Sequence, residues 1–134
     1  LVLRSDASIA AVLDWELCTL GDPLADLGML MVYWLHRGED SRHMLIGTPT
    51  AAVGFAKRDA LLARYKARTG SDLSRIGFYM ALGLWKLACI AEGMYARYRS
   101  GAMGDETAAT IERIGKQVML LAERALAVLE GDQP

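Results

Sequence analysis

Two apolar stripes in the second half of the chain restrict the fold more than any other feature. Ile76, Met80, Leu84, Leu87, Ala91, Met94 and Tyr98 recur at steps of four and three, and Ile111, Ile114, Val118, Leu121, Ala125 and Val128 do the same. That period gathers each set on one side of an α-helix, where it must be buried against another element. The link between them, SGAMGDE, is so short that the two helices form an antiparallel hairpin with their stripes face to face. Trp85 and Cys89 add a second apolar face to the first helix, and Lys86 and Glu92 are the only charges between Arg75 and Arg97, which predicts a buried central rod. The last helix carries Glu112, Arg113, Lys116, Glu123 and Arg124 away from its stripe, which predicts a solvated face.

Upstream the pattern is more broken. Lys57 to Arg68 reads as a short helix with Leu61, Leu62 and Tyr65 inward, closed by Gly70 in the left-handed conformation that ends many helices. Arg37 to Gly54 holds Gly47, Pro49 and Gly54 without a sustained period and reads as a long loop, a length at which loops in compact domains are often functional. Asp22 followed by Pro23 is a helix start, with a side chain able to accept from free N–H groups and a ring pre-set for the first turn; the helix is expected to run to about His36. Leu1 to Arg4 and Ile9 to Leu13 are β-prone runs flanking the polar turn SDAS, a hairpin pattern. The predicted fold class is mainly α, a short N-terminal β-hairpin followed by a helical bundle, in one domain spanning residues 1–134.

Composition removes several functions. Fifteen basic against sixteen acidic residues leave a net charge of −1, so no bulk field draws the chain to nucleic acid or an anionic membrane. The longest uncharged stretches, Leu27 to Leu35 and Ile76 to Trp85, fall short of the roughly 18 apolar residues of a membrane span. No basic n-region with a cleavage site opens the sequence. Cys18 and Cys89 lie among apolar neighbours and read as small hydrophobes, which fits a reducing, cytoplasmic setting. Met29, Met31, Met80 and Met94 fall at helical spacing and read as core filler.

Chemistry concentrates in Ala10 to Gly28, AAVLDWELCTLGDPLADLG. A strand-like run ends in Asp14 at a turn, with Glu16 two residues on. Such a carboxylate either caps the turn or offers oxygen to a hard cation such as Mg²⁺, which takes one or two carboxylates and keeps several waters. His36 and His43 each sit beside an arginine and read as solvated side chains rather than bases. Arg64, Lys66, Arg68, Arg97 and Arg99 read as wet helix faces and ends, where cations suit the helix dipole.

Taken together, LDWE followed by GDPLADLG resembles the metal-binding motif and following helix of the aminoglycoside phosphotransferase-like kinases. This family has a protein-kinase-like fold and includes choline-kinase-type enzymes. TPTAAVGFAKRDALLARYKARTGSDL looks like the loop and helix that come next in many members, and FYMALGLWKLACIAEGMYARYRSGAMG is similar to their long core helix, so the resemblance covers nearly the whole chain. The pattern is also similar to phosphotransferase domains associated with acyl-CoA dehydrogenases. The resemblance implies that Asp14 binds the catalytic Mg²⁺ that accompanies ATP, with Glu16 as a further metal candidate in direct contact or one layer out. It implies that Asp26 braces the catalytic loop and Asp22 caps the helix. Trp15 takes the aromatic position of the motif and is expected to be a packing residue.

The departures from the family pattern are as informative. The catalytic loop H-x-D-x-x-x-x-N, in which Asp addresses the accepting hydroxyl and Asn holds metal, does not occur in these residues: neither His36 nor His43 is followed by Asp two positions later. The resemblance places that loop just upstream of Leu1, and the Gly-rich strands, the phosphate-pairing Lys and its Glu in a further N-terminal lobe. The expected function is therefore the C-terminal lobe of an ATP- and Mg²⁺-dependent small-molecule O-phosphotransferase acting on an alcohol group, inactive by itself. No dense acidic patch suits a polycationic aminoglycoside, Glu39 and Asp40 being a thin substitute, and the acyl-CoA dehydrogenase association suggests a hydroxyacyl thioester, with specificity in the Arg37 to Gly54 loop. The competing expectation is a non-catalytic helical interaction or oligomerisation module in which LDWE is only a turn. Self-association through apolar surface left by a missing catalytic loop is compatible with either.

Overall fold

A computed structural model of the chain describes residues 1–16, 18, 20–44, 47–104 and 106–131. Within them a two-stranded hairpin, β1 (Val2–Leu3) and β2 (Ile9–Ala11), is followed by helices α1 (Pro23–Tyr33), α2 (Arg58–Thr69), α3 (Ile76–Arg99) and α4 (Ala108–Glu130). The strands pair antiparallel, Val2 with Ala11 and Leu3 with Ile9, across an irregularity in register. The Asp6 carboxylate accepts from the Ser8 N–H at 2.9 Å and the Arg4 N–H closes onto the Ser8 carbonyl at 2.9 Å, so the SDAS segment makes the turn its side chains favour.

The helical hairpin forms as its stripes require. Leu84, Leu87, Ala88 and Ala91 of α3 and Leu121, Ala125 and Val128 of α4 share one buried cluster, which continues into Leu27, Met31 and Val32 of α1. Thr107 caps α4 by accepting from the Thr110 N–H at 3.2 Å, and Gly131, at φ 109°, closes it. Gly70, at φ 71°, ends α2 as expected, and Leu61, Leu62 and Tyr65 pack against the core. Where α1 crosses α3 the backbones nearly touch: a Cβ at Gly28 would lie 2.5 Å from the Tyr79 carbonyl carbon, and one at Gly83 would meet Met29 Cα at 3.4 Å. Glycine is what admits this approach.

Several sequence expectations require correction. α1 stops at Tyr33 rather than near His36, because the chain turns so that the Trp34 indole N–H donates to the Ala56 carbonyl at 2.8 Å and the Leu35 carbonyl accepts from the Thr50 hydroxyl at 2.9 Å. The long loop carries one 3₁₀ turn, Pro49–Ala51. α3 is not a fully buried rod: α1 and α4 cover one side, while Cys89 is exposed and Trp85, 59% exposed, faces a groove that nothing in the described residues fills. Cys18 is exposed as well, so neither thiol behaves as a core hydrophobe. By length and composition alone α3, at 24 residues, reaches what a membrane span needs, yet its stripe is spent on α1 and α4.

Candidate metal-binding turn and its supports

After β2 the chain turns sharply at Asp14. Its φ of 72° lies in the left-handed region, a conformation shared among described non-glycine residues only by Ala7. Asp tolerates this region better than most residues, yet it remains a sparsely populated state that surrounding contacts must hold. Trp15 supplies one such contact. Its indole N–H reaches back to the Val12 carbonyl at 2.7 Å, and the Trp15 carbonyl accepts from the Cys18 N–H at 3.0 Å, so the turn is closed on both sides of the aspartate. Trp15 is 62% exposed. Its contribution is thus this bond and not the packing expected from sequence.

The Asp14 carboxylate itself is exposed and makes no hydrogen bond or ion pair with any described residue. A turn cap would have its oxygens committed to nearby N–H groups, as Asp6 and Asp22 do; Asp14 has no such bond among the described residues. Glu16, in the same turn, and Asp26, in the first turn of α1, are likewise exposed and without such partners among the described residues.

Asp22 has the opposite character. One oxygen accepts from the Leu24 N–H at 2.9 Å, capping α1, and the other accepts from the Tyr79 hydroxyl of α3. The Tyr79 bond first, then the Leu24 N–H, holds this carboxyl below the usual carboxylate range, and the same bond pushes the tyrosine hydroxyl up. With both oxygens engaged, Asp22 anchors the start of α1 to α3.

Among the described residues no group of three or more His, Cys, Asp or Glu side chains gathers in a metal-binding cluster. Exposed carboxylates without a partner among the described residues fit an ion that takes one or two protein oxygens and completes its shell with water and phosphate, as Mg²⁺ does. Asp14 would hold such an ion, with Glu16 nearest in sequence; bound there, Mg²⁺ would neutralise charge on nucleotide phosphates.

Sequence reasoning missed a second polar assembly, at the far end of α1. Arg58 is 9% exposed; its Nε donates to the Met31 carbonyl at 3.1 Å and its terminal nitrogens hold Glu39 at 3.0 and 2.6 Å. The Arg58 backbone N–H, at the start of α2, donates to His36 Nε2 at 3.1 Å, so this histidine is not a solvated side chain but a cap provided from a distant loop. His43 is half-buried too, and burial pushes its imidazole below the ordinary histidine value. Gln117 of α4, 7% exposed, donates to the Met44 carbonyl at 2.7 Å. These contacts join residues far apart in sequence, so no local signal announces them; a lone glutamine on the apolar stripe side of α4 was the one visible hint.

The exposed acidic turn and the helix after it, capped by Asp22 and opening PLADLG, lie within the span that the family model of a phosphotransferase matches. The chain belongs to the phosphotransferase enzyme family, whose model matches residues 1–79. Curated relatives are similar over almost the whole chain. Acyl-CoA dehydrogenase family member 11 of Rattus norvegicus is 33% identical across 92% of this chain and 17% of that protein. Acyl-CoA dehydrogenase family member 10 of Mus musculus is 31% identical across 89% and 11%, and a probable acyl-CoA dehydrogenase of Arabidopsis thaliana 28% across 93% and 16%. The chain thus spans at most about a sixth of the relatives it matches, 17% in the rat protein. No solved structure matches it.

Proposed function

We propose that residues 1–134 are the C-terminal helical part of an ATP- and Mg²⁺-dependent kinase that phosphorylates an alcohol group of a small molecule. Asp14 is the metal ligand, with Glu16 in reserve beside it; Asp26 braces the catalytic loop; Asp22, with Tyr79, and Trp15 keep the turn and the start of α1 in place. The observation that carries this reading is the Asp14 carboxylate, held in a left-handed backbone conformation and left without a partner among the described residues. Backbone strain of this kind persists where surrounding structure imposes it, and it clusters at functional sites.

The remaining chemistry belongs to residues outside this sequence: the hydroxyl-activating Asp, the Asn and the phosphate-pairing Lys of the family pattern. The exposed side chains of the hairpin, Leu3, Ile9, Val12 and Leu13 among them, form the surface on which those parts would sit. A hydroxyacyl thioester is the favoured acceptor, since the relatives bear acyl-CoA dehydrogenase names. Two exposed unpaired thiols suit a reducing, cytoplasmic compartment. Assay of the parent protein with MgATP and a panel of hydroxyacyl-CoA thioesters tests the reading. Phosphate transfer to the hydroxyl is expected, at least a thousandfold reduced by Asp14→Asn; full turnover in that variant would remove the assignment.

A further inference from the structure

We infer that the cavity beside the C-terminal end of α1 is a second binding site, shaped for a small uncharged ligand with an apolar body and one hydroxyl or carbonyl group. The cavity measures about 260 Å³. That lies between a void of about 150 Å³ that accepts benzene and the roughly 300 Å³ at which drug-sized sites begin. Val32, Leu35, Met80 and Leu84, none more than 4% exposed, make its apolar floor.

The charges around the rim answer one another. Arg58 grips Glu39 with two nitrogens, and Arg42 holds Asp40 at 2.7 Å. Arg124, also at the rim, is engaged as well. A charged ligand would have to shed its water over an aliphatic floor and would find no counter-charge unspent among the described residues, which disfavours it.

His43 differs from its neighbours. Its ring lines the cavity, is half-buried and has no hydrogen-bond partner among the described residues. Burial keeps it neutral, so it presents one N–H donor and one nitrogen acceptor. A hydroxyl satisfies either, and a carbonyl satisfies the donor. The site is separate from the Asp14 turn: it lies at the opposite end of α1 from Asp22, and eleven helical residues span about 16 Å.

Nuclear magnetic resonance titration of the 134-residue chain with benzyl alcohol, toluene and benzoate tests the assignment. Benzyl alcohol is expected to shift the His43 ring and the Val32, Met80 and Leu84 methyls saturably. Toluene, which forfeits the hydrogen bond, is expected to bind about fivefold more weakly, and benzoate not to saturate. His43→Phe should erase the difference between benzyl alcohol and toluene, and His43→Gln, which keeps a donor and an acceptor, should preserve it. The inference is overturned if benzyl alcohol leaves these signals unmoved, if benzoate binds as well, or if the alcohol's advantage survives His43→Phe.

Discussion

At the scale of single residues, polar side chains placed where water is scarce tie the loop after α1 to the helices around it. His36 can accept from the start of α2 only through an unprotonated Nε2, which fixes its proton on Nδ1. His36→Ala leaves the first turn of α2 without a cap and is expected to lower the unfolding free energy by about 1 kcal/mol, measured by urea denaturation. His43 acts through its charge state. Because burial depresses its pKa, the unfolded chain takes up a proton that the folded chain refuses once pH falls below the ordinary histidine value. Stability is therefore whole above that value and falls as the solution is made more acidic, and His43→Gln should flatten the melting temperature between pH 7 and 5. The sequence shows both histidines but not this behaviour, since burial of a loop residue depends on what folds over it. Asp22 was legible as a cap because capping is local; its Tyr79 partner, 57 positions away, was not.

At the scale of elements, helix existence was legible and helix surroundings were not. The stripes of α3 and α4 are periodic, and each step of three or four fixes which side chains meet. The end of α1 escaped this logic because Trp34 and Leu35 remain apolar while leaving the helix to bond Ala56 and Thr50. Glycines show the same divide. Gly28→Ala, in α1, drives a methyl into the Tyr79 backbone and is expected to cost about 1–3 kcal/mol, whereas a Cβ at Gly93, in α3, meets nothing within 4 Å. Gly93→Ala is expected to stabilise by about 0.5–1 kcal/mol, and thermal melts of the two variants should move in opposite directions.

At the scale of the whole molecule, the exposed apolar surface is the feature that composition concealed. Phe78, Leu82 and Trp85 of α3 stand beside Leu126 and Leu129 of α4 around a groove of about 310 Å³. A contiguous surface of this kind favours association. In sedimentation velocity the chain is expected to shift from monomer to larger species as concentration rises, and Trp85→Ser to hold it monomeric; a monomer at every concentration would show that the face is inert in this chain. The sequence assigned Trp85 to the interior because period alone distinguishes faces, not which of them finds a partner. Membership of the phosphotransferase enzyme family, matched over residues 1–79, gives the Asp14 turn its context. The parent protein with Mn²⁺ in place of Mg²⁺ offers the sharpest examination of that turn, through paramagnetic resonance of the ion in the presence of ATP. Asp14→Asn should weaken nucleotide-dependent Mn²⁺ binding at least tenfold with an unchanged melting temperature; undiminished binding would show that Asp14 does not hold the metal.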